Sequence, residues 1–152
     1  MQIMTPLNLP PFVPRLKKEG ERTDIFDPLR QRFVALTPEE WVRQHFVNFL
    51  IEMKGYPRNL MGNEVSLSLN GMQRRCDTVL YDLHVNPRMI IEYKRPTVAI
   101  TQKVFDQISR YNMVMHVDYL IVSNGLEHYC CRMDYEHQTY EFLKEIPDYS
   151  SL

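Results

Sequence analysis

Between Glu64 and Lys94 three strand-forming runs follow one another, and the turns between them leave little choice about how they pair. EVSLSL alternates apolar and polar residues, Asn70-Gly71 comes next, and RRCDTVLYD continues the chain. Asn-Gly is the strongest short hairpin signal, because the favoured two-residue turn needs positive φ at both central positions. HVNP then turns the chain into RMIIEYK. The expectation is an antiparallel three-strand meander, and the rest of the fold must be built around it.

On either side of the meander the period changes from two to that of a helix. In TPEEWVRQHFVNFLIEMKG, Thr37 is placed as N-cap, Pro38 suits the first helical position, and Glu40 would complete a capping box with Thr37. Val42, Phe46, Phe49, Leu50 and Met53 predict one apolar face, and Gly55 is placed to end the helix. Downstream, Thr101 is a plausible cap for QKVFDQISRYNMVMH, whose expected apolar stripe is Val104, Ile108, Tyr111 and Met115. YLIVS is a short continuous apolar run, as expected of a central strand. Asn124-Gly125 turns it into EHYCCRM, and TYEFL adds a further candidate strand. A meander followed by a crossover helix and a buried strand argues for an α/β (or α+β) fold. The expected core is a mixed β-sheet flanked by helices, in the order helix, three strands, helix, strand.

Residues 1–36 read as an N-terminal arm. Pro6, Pro10, Pro11 and Pro14 fall in its first half, which suggests an extended, poorly packed segment. RTDIFDPLRQRFVAL holds short apolar pieces that would pair at a sheet edge. Residues 37–145 form the expected domain and 146–152 a C-terminal tail.

The composition, 44% hydrophobic and 24% charged, is that of an ordinary globular chain, and its net charge of -1 gives no broad basic field. A local basic patch would still suffice for a nucleic-acid partner. No apolar run approaches the ~18 residues of a membrane span, and MQIMTPLNLPPF lacks the charged start and apolar stretch of a signal peptide. A cytoplasmic location is the expectation. Cys76, Cys130 and Cys131 form no disulfide framework. With His128 nearby a zinc site can be imagined, but adjacent Cys130 and Cys131 point to opposite faces of a strand, and small buried hydrophobes are the expected role.

The chemistry lies where RMIIEYKRP stops being apolar. Glu92 and Lys94, two residues apart, project from one face of the third strand. Pairing that strand with RRCDTVLYD brings Asp77 close to both. Burying such charges is costly unless they pair or bind metal. One reading is a salt bridge in which Lys94 neutralises Glu92 or Asp77. The other is a Mg²⁺ site, since Mg²⁺ takes one or two protein carboxylates and leaves positions for water and phosphate.

Asp77, then Glu92-Tyr93-Lys94, then a helix carrying Gln107 and Tyr111 resembles the PD-(D/E)xK nuclease superfamily. More narrowly, RCDTVLYD, PRMIIEYKRP, FDQISRYN and YLIVSNG, with TPEEWVRQ upstream, resemble the N-terminal nuclease domain of the restriction (R) subunit of type I restriction enzymes. The resemblance covers roughly residues 37–130. It implies a restriction-endonuclease-like fold and a Mg²⁺-dependent endodeoxyribonuclease, with Mn²⁺ as substitute. Asp77 and Glu92 would hold the metal, with the Tyr93 carbonyl as third ligand, and Lys94 would serve the attacking water or the transition state. Gln107 and Tyr111 match a Gln-x-x-x-Tyr motif that engages DNA, although Tyr111 also continues an apolar stripe and core packing explains it about as well.

Glu40 and Glu64 are candidates for a further acid, with the capping box the stronger explanation of Glu40. Asp82 reads as a turn residue. Arg74, Arg75, Arg88, Arg95 and Arg110 are candidates for phosphate contacts. Two departures stand out: Cys76 replaces the superfamily's proline, and no GxxxxGK[ST] motif of an ATP-driven motor is present. The resemblance implies DNA as partner, and the missing motor motif leaves either a stand-alone relative or a nuclease domain that needs separate motor or modification/specificity subunits. The alternative is a non-cleaving DNA-binding or assembly module of a restriction system.

Overall fold

Asn70 and Gly71 both adopt positive φ (51° and 79°), and the strands they join pair antiparallel from Leu69–Met72 back to Met61–Leu80. A computed structural model describes residues 4–152; the first three residues of the expected arm lie outside the described residues. The meander consists of β4 (Met61–Leu69), β5 (Met72–Tyr81) and β6 (Pro87–Tyr93), preceded by three strands considered below. Asp82 makes the second turn by accepting from the Asn86 and His84 amides, as expected of a turn residue. Helix α2 (Gln102–Met113) crosses from β6 to β7 (Tyr119–Ser123), which pairs parallel to β6. β8 (His128–Asp134) and β9 (Thr139–Phe142) complete a mixed six-stranded sheet in the order β4-β5-β6-β7-β8-β9. All five residues of β7 are buried, because both faces of the sheet are covered.

Helix α1 (Pro38–Lys54) covers one face. Its Val42, Phe46, Val47 and Leu50 pack with Leu80, Met89, Ile91 and Ile121. Thr37 caps it by accepting from the Glu40 amide, and Gly55 ends it at φ 73° with the Tyr56 amide donating to the Leu50 carbonyl. Two details differ from the expected face. Met53 is 63% exposed, whereas Arg43, Gln44 and His45 are buried. The Glu40 carboxylate does not return to the cap but joins Arg30, Arg43 and Gln44.

Helix α2 covers the other face through Phe105, Ser109 and Asn112, with Ile100 and Met115 beside it. Of the expected stripe, Met115 is buried and Ile108 packs half-buried against this core, but the buried centre runs one residue later and Tyr111 is 47% exposed. Arg74 explains the difference: its guanidinium lies 4.2 Å from the Tyr111 ring centroid and its Nε donates to the Tyr111 carbonyl, so the ring is sheltered by a surface cation instead of the core.

The N-terminal segment departs most from expectation. β1 (Leu16–Glu19), β2 (Arg22–Asp27) and β3 (Arg32–Ala35) form their own three-stranded antiparallel sheet instead of extending an edge of the large one. Ile25 and Asp27 are fully buried, and Asp27 reaches Arg30 and Asn63. The proline-rich stretch before it is docked. Leu7 and Leu9 join the α1-side core, and Asn8 donates to the Gly125 and Leu126 carbonyls. A Cβ on Gly125 would approach Leu7 to 2.7 Å, at a φ of +87° that already favours glycine. Among the described residues, no helix is long and apolar enough to cross a membrane.

Candidate metal and nucleic-acid site

Next to the last pair of the β5–β6 ladder, Thr78 with Ile91, come Asp77 and Glu92. The Tyr93 amide donates to Asp77 Oδ2 at 2.8 Å, so the backbone of β6 holds the aspartate of β5 against it. Strand alternation sends the Tyr93 ring to the α1 face, where its hydroxyl donates to Thr78 Oγ1 at 2.9 Å. Glu92 and Lys94 face the α2 side. Together with Glu39, Arg75, Gln107, Ile108, Tyr111 and Asn112 they line an open cavity of about 340 Å³.

Among the described residues two side-chain oxygens are buried without a hydrogen-bond partner, Glu92 Oε1 and Asn112 Oδ1. Both belong to residues of this cavity. Burial, then the charge of Asp77 and a hydrogen bond between the two carboxyl groups, pushes the Glu92 carboxyl up to about 9, against the smaller opposing pull of the Asn112 amide and the Lys94 charge. A carboxylate placed where it resists ionisation, with an orphaned oxygen, is an arrangement that a cation would relieve. Lys94 does not supply that cation: no ion pair within 4.0 Å joins it to a described acid. The simple salt-bridge reading of Glu92-x-Lys94 is therefore not what the structure shows.

The donor set suits a hard divalent ion. Asp77 and Glu92 offer carboxylate oxygens, and Asn112 adds an amide oxygen from α2. Among the described residues no group of three or more His, Cys, Asp or Glu converges on one point, so the protein's carboxylate share here is two. The other proposed acids are otherwise engaged. The Glu40 carboxylate accepts from Arg30 Nη2 at 2.7 Å and from Arg43 Nε at 2.9 Å, and it is buried. Glu64 accepts from Arg43 Nη2 at 2.7 Å and Arg75 Nε at 2.9 Å. Burial alone would raise the Glu64 carboxyl, but these two guanidiniums outweigh it and hold it below the ordinary carboxylate range. The α1 acid that lines the cavity is Glu39, next to Glu40.

The Arg43 network shapes the backbone of the site. Glu64 has φ +56°, and the β4–β5 ladder is interrupted between Asn63–Thr78 and Val65–Cys76, where Glu64 and Asp77 would pair. In place of that rung, Arg43 Nη1 donates to the Asp77 carbonyl at 2.7 Å. A non-glycine residue at positive φ is strained and must be held by its surroundings. Arg43 does that holding from α1.

Gln107 and Tyr111 flank the cavity on the exposed side of α2, with Arg75 across from them. Arg74 stands over Tyr111 at the rim. Arg88 lies near the start of β6, remote from Glu92, and of the five arginines Arg75 alone lines this cavity, with Arg74 joined to its rim through Tyr111. The cysteines are packing residues: Cys130 lies in the α1-side core, Cys76 and Cys131 in the α2-side core. His128 Nδ1 pairs with Ser123 Oγ at 2.7 Å.

Glu39 and Asn112 escaped the sequence reading. Asn112 had a signal, as a polar residue at helical spacing from the buried Phe105. Glu39 had little, being one of two adjacent acids in a first turn where acids favour the helix dipole anyway.

The family model for the type I restriction enzyme R protein N terminus (HSDR_N) matches residues 38–147. The chain belongs to that family. A solved structure similar to this R-protein N terminus is a fragment of an HsdR subunit of a type I restriction enzyme from Vibrio vulnificus YJ016. The likeness has a TM-score of 0.52 at 19% identity, covering 74% of this chain and 24% of that one. At that identity it shows the fold, in agreement with the restriction-endonuclease-like expectation. The chain spans about a quarter of the length of that fragment. No curated protein is significantly similar in sequence.

Proposed function

We propose that this R-protein N terminus is a PD-(D/E)xK nuclease domain that hydrolyses DNA phosphodiesters with Mg²⁺, or Mn²⁺ in its place. The observation that carries the reading is the pair Asp77–Glu92, both lining a cavity with Lys94, together with the buried and unpartnered Glu92 Oε1. Asp77, Glu92 and the Tyr93 carbonyl would hold the ion, and Asn112 Oδ1 offers a further oxygen. Such an ion supplies Lewis acidity and offsets charge on the phosphate.

The chain's own groups do the rest. Asp77 is fixed by the Tyr93 amide, so one metal-facing carboxylate is oriented before any ligand arrives. Lys94, unpaired and half-buried, is free to orient a water or to donate to phosphate oxygens as charge builds there. Gln107, Tyr111, Arg74 and Arg75 form a polar rim suited to the phosphodiester backbone. DNA is the substrate in this reading. Separate motor or modification/specificity subunits would be its partners, with the cytoplasm as its location.

The test is nicking of supercoiled plasmid with and without Mg²⁺ or Mn²⁺. Metal-dependent product, lost in folded Asp77→Ala and Lys94→Ala variants, is expected; cleavage that persists in both overturns the assignment. A second reading, a non-cleaving DNA-binding or assembly module, draws support from the presence of only two converging carboxylates among the described residues. It predicts salt-sensitive DNA binding without product.

A further inference from the structure

Beside the cavity just described lies a second one of about 180 Å³, lined by Thr5, Pro38, Trp41, Arg95, Pro96 and Thr97, with Met4 at its margin. Two chain segments, the start of α1 and the end of β6, contribute to both; β5 and α2 complete the first and the N-terminal segment completes the second. Glu39 and Lys94 face the metal cavity, while their immediate neighbours Pro38 and Arg95 face this one. The two cavities are thus adjoining compartments on either side of the start of α1 and the end of β6. The second combines flat apolar surfaces, an indole and two proline rings, with a guanidinium and two threonines. The indole is held in place, its Nε1 donating to the Thr5 carbonyl at 3.1 Å and its ring lying 4.3 Å from that of His45. None of this is needed for metal binding at Asp77 and Glu92.

We propose that this compartment receives the unstacked base of the nucleotide next to the cleaved phosphate, with Trp41 as stacking platform and Arg95 at the adjoining phosphate. The inference rests on the nuclease reading above and deepens it by naming the substrate class. An indole and prolines offer sequence-tolerant faces for a base, and the guanidinium adds charge at the backbone. A base inside a duplex cannot reach such a compartment without leaving the stack, at a cost that is smallest where it is already unpaired. The favoured substrate is therefore DNA with a single-stranded or unpaired nucleotide at the cleavage position, in preference to uninterrupted duplex.

Trp41 is the one tryptophan in the chain, so fluorescence excited selectively in the tryptophan band, clear of the nine tyrosines, reports on this compartment alone. The experiment uses the full chain carrying Lys94→Ala, to retain substrate. It is titrated with a labelled single-stranded oligonucleotide, the same sequence as blunt duplex, and that duplex with one unpaired nucleotide. Anisotropy of the label reports binding independently. Single-stranded and unpaired-nucleotide DNA are expected to change Trp41 emission and to bind about tenfold or more tightly than blunt duplex. Arg95→Gln, an exposed position tolerant of change, and Trp41→Leu should each remove most of that preference, with losses of roughly 5- to 100-fold on the preferred DNA for Trp41. Binding by anisotropy with no change in Trp41 emission, or equal affinity for the three DNAs, overturns the base compartment and leaves the nuclease reading standing. No binding to any of them, with no plasmid nicking by the unsubstituted chain, overturns both.

Discussion

Arg43 Nη1 donates to the Asp77 carbonyl at 2.7 Å, tying α1 to β5 at the missing rung of the β4–β5 ladder. The same guanidinium binds Glu40 and Glu64. Burial alone would lower its affinity for the proton, but its two acids outweigh that and raise it further above the ordinary arginine value. Removing it in Arg43→Ala leaves Glu40 buried with only Arg30 as cation. The expected cost is about 3–5 kcal/mol in urea unfolding, as for one partner of a buried pair. In whatever fraction remains folded, Mn²⁺ affinity should fall too, because Asp77 loses its backbone anchor.

Glu92 behaves oppositely. Its carboxyl is held near 9 by burial and by Asp77, so in metal-free protein at neutral pH it resembles a neutral amide more than a carboxylate. Glu92→Gln is expected to leave stability unchanged or raise it by about 0.5–2 kcal/mol, measured by chemical denaturation, while abolishing Mn²⁺ binding in calorimetry. A loss of several kcal/mol would mean that Glu92 is a structural residue.

Asp27 sets an acid limit on the fold. Burial alone would raise its carboxyl, but the bonds from Asn63 and Arg30 outweigh it and hold it below the ordinary aspartate range. A depressed acid contributes stability at pH values above its unfolded range and loses it as pH falls through the folded value. Wild-type stability should therefore drop more steeply than that of Asp27→Asn below about pH 4. At pH 7 the variant should be weaker by about 1–3 kcal/mol. Parallel urea midpoints from pH 7 to pH 3 check both statements.

Tyr111 lies under Arg74 at the rim, outside the core. Tyr111→Ala should change stability by no more than about 0.5–1 kcal/mol, the worth of an exposed cation–π contact. DNA binding by folded protein should weaken clearly, and likewise in Gln107→Ala. Unfolding of the chain by Tyr111→Ala would contradict the rim position of this ring.

How much of this was legible in the sequence follows from which interactions are local. Asn70-Gly71, Thr37 with Pro38, Gly55 and the unbroken YLIVS run each settle an element within a few residues, and those elements appear where expected. Asp77 opposite Glu92 followed from pairing two adjacent strands. What failed depended on partners that the local pattern does not single out. Thr37-x-x-Glu40 looks like a capping box, but Arg30 and Arg43, ten and three residues away, outbid the cap for the Glu40 carboxylate. Tyr111 was misplaced in the α2 stripe because a tyrosine counts as apolar until the arginine that covers it is known, while Ile108 and Met115 pack as expected. The small β1–β3 sheet was missed as a separate unit because its strands are short. Ile25 and Asp27 face inward together, one apolar and one acidic, which defeats alternation.

The central claim is that Asp77 and Glu92 share a divalent cation. Crystals soaked in Mn²⁺ and measured at its absorption edge test it most directly. The account predicts an anomalous peak between the two carboxylates, with oxygens of both at about 2.0–2.3 Å and Lys94 facing the same cavity. Saturating Mn²⁺ that leaves the space between them empty, or a peak ligated by neither Asp77 nor Glu92, would contradict it.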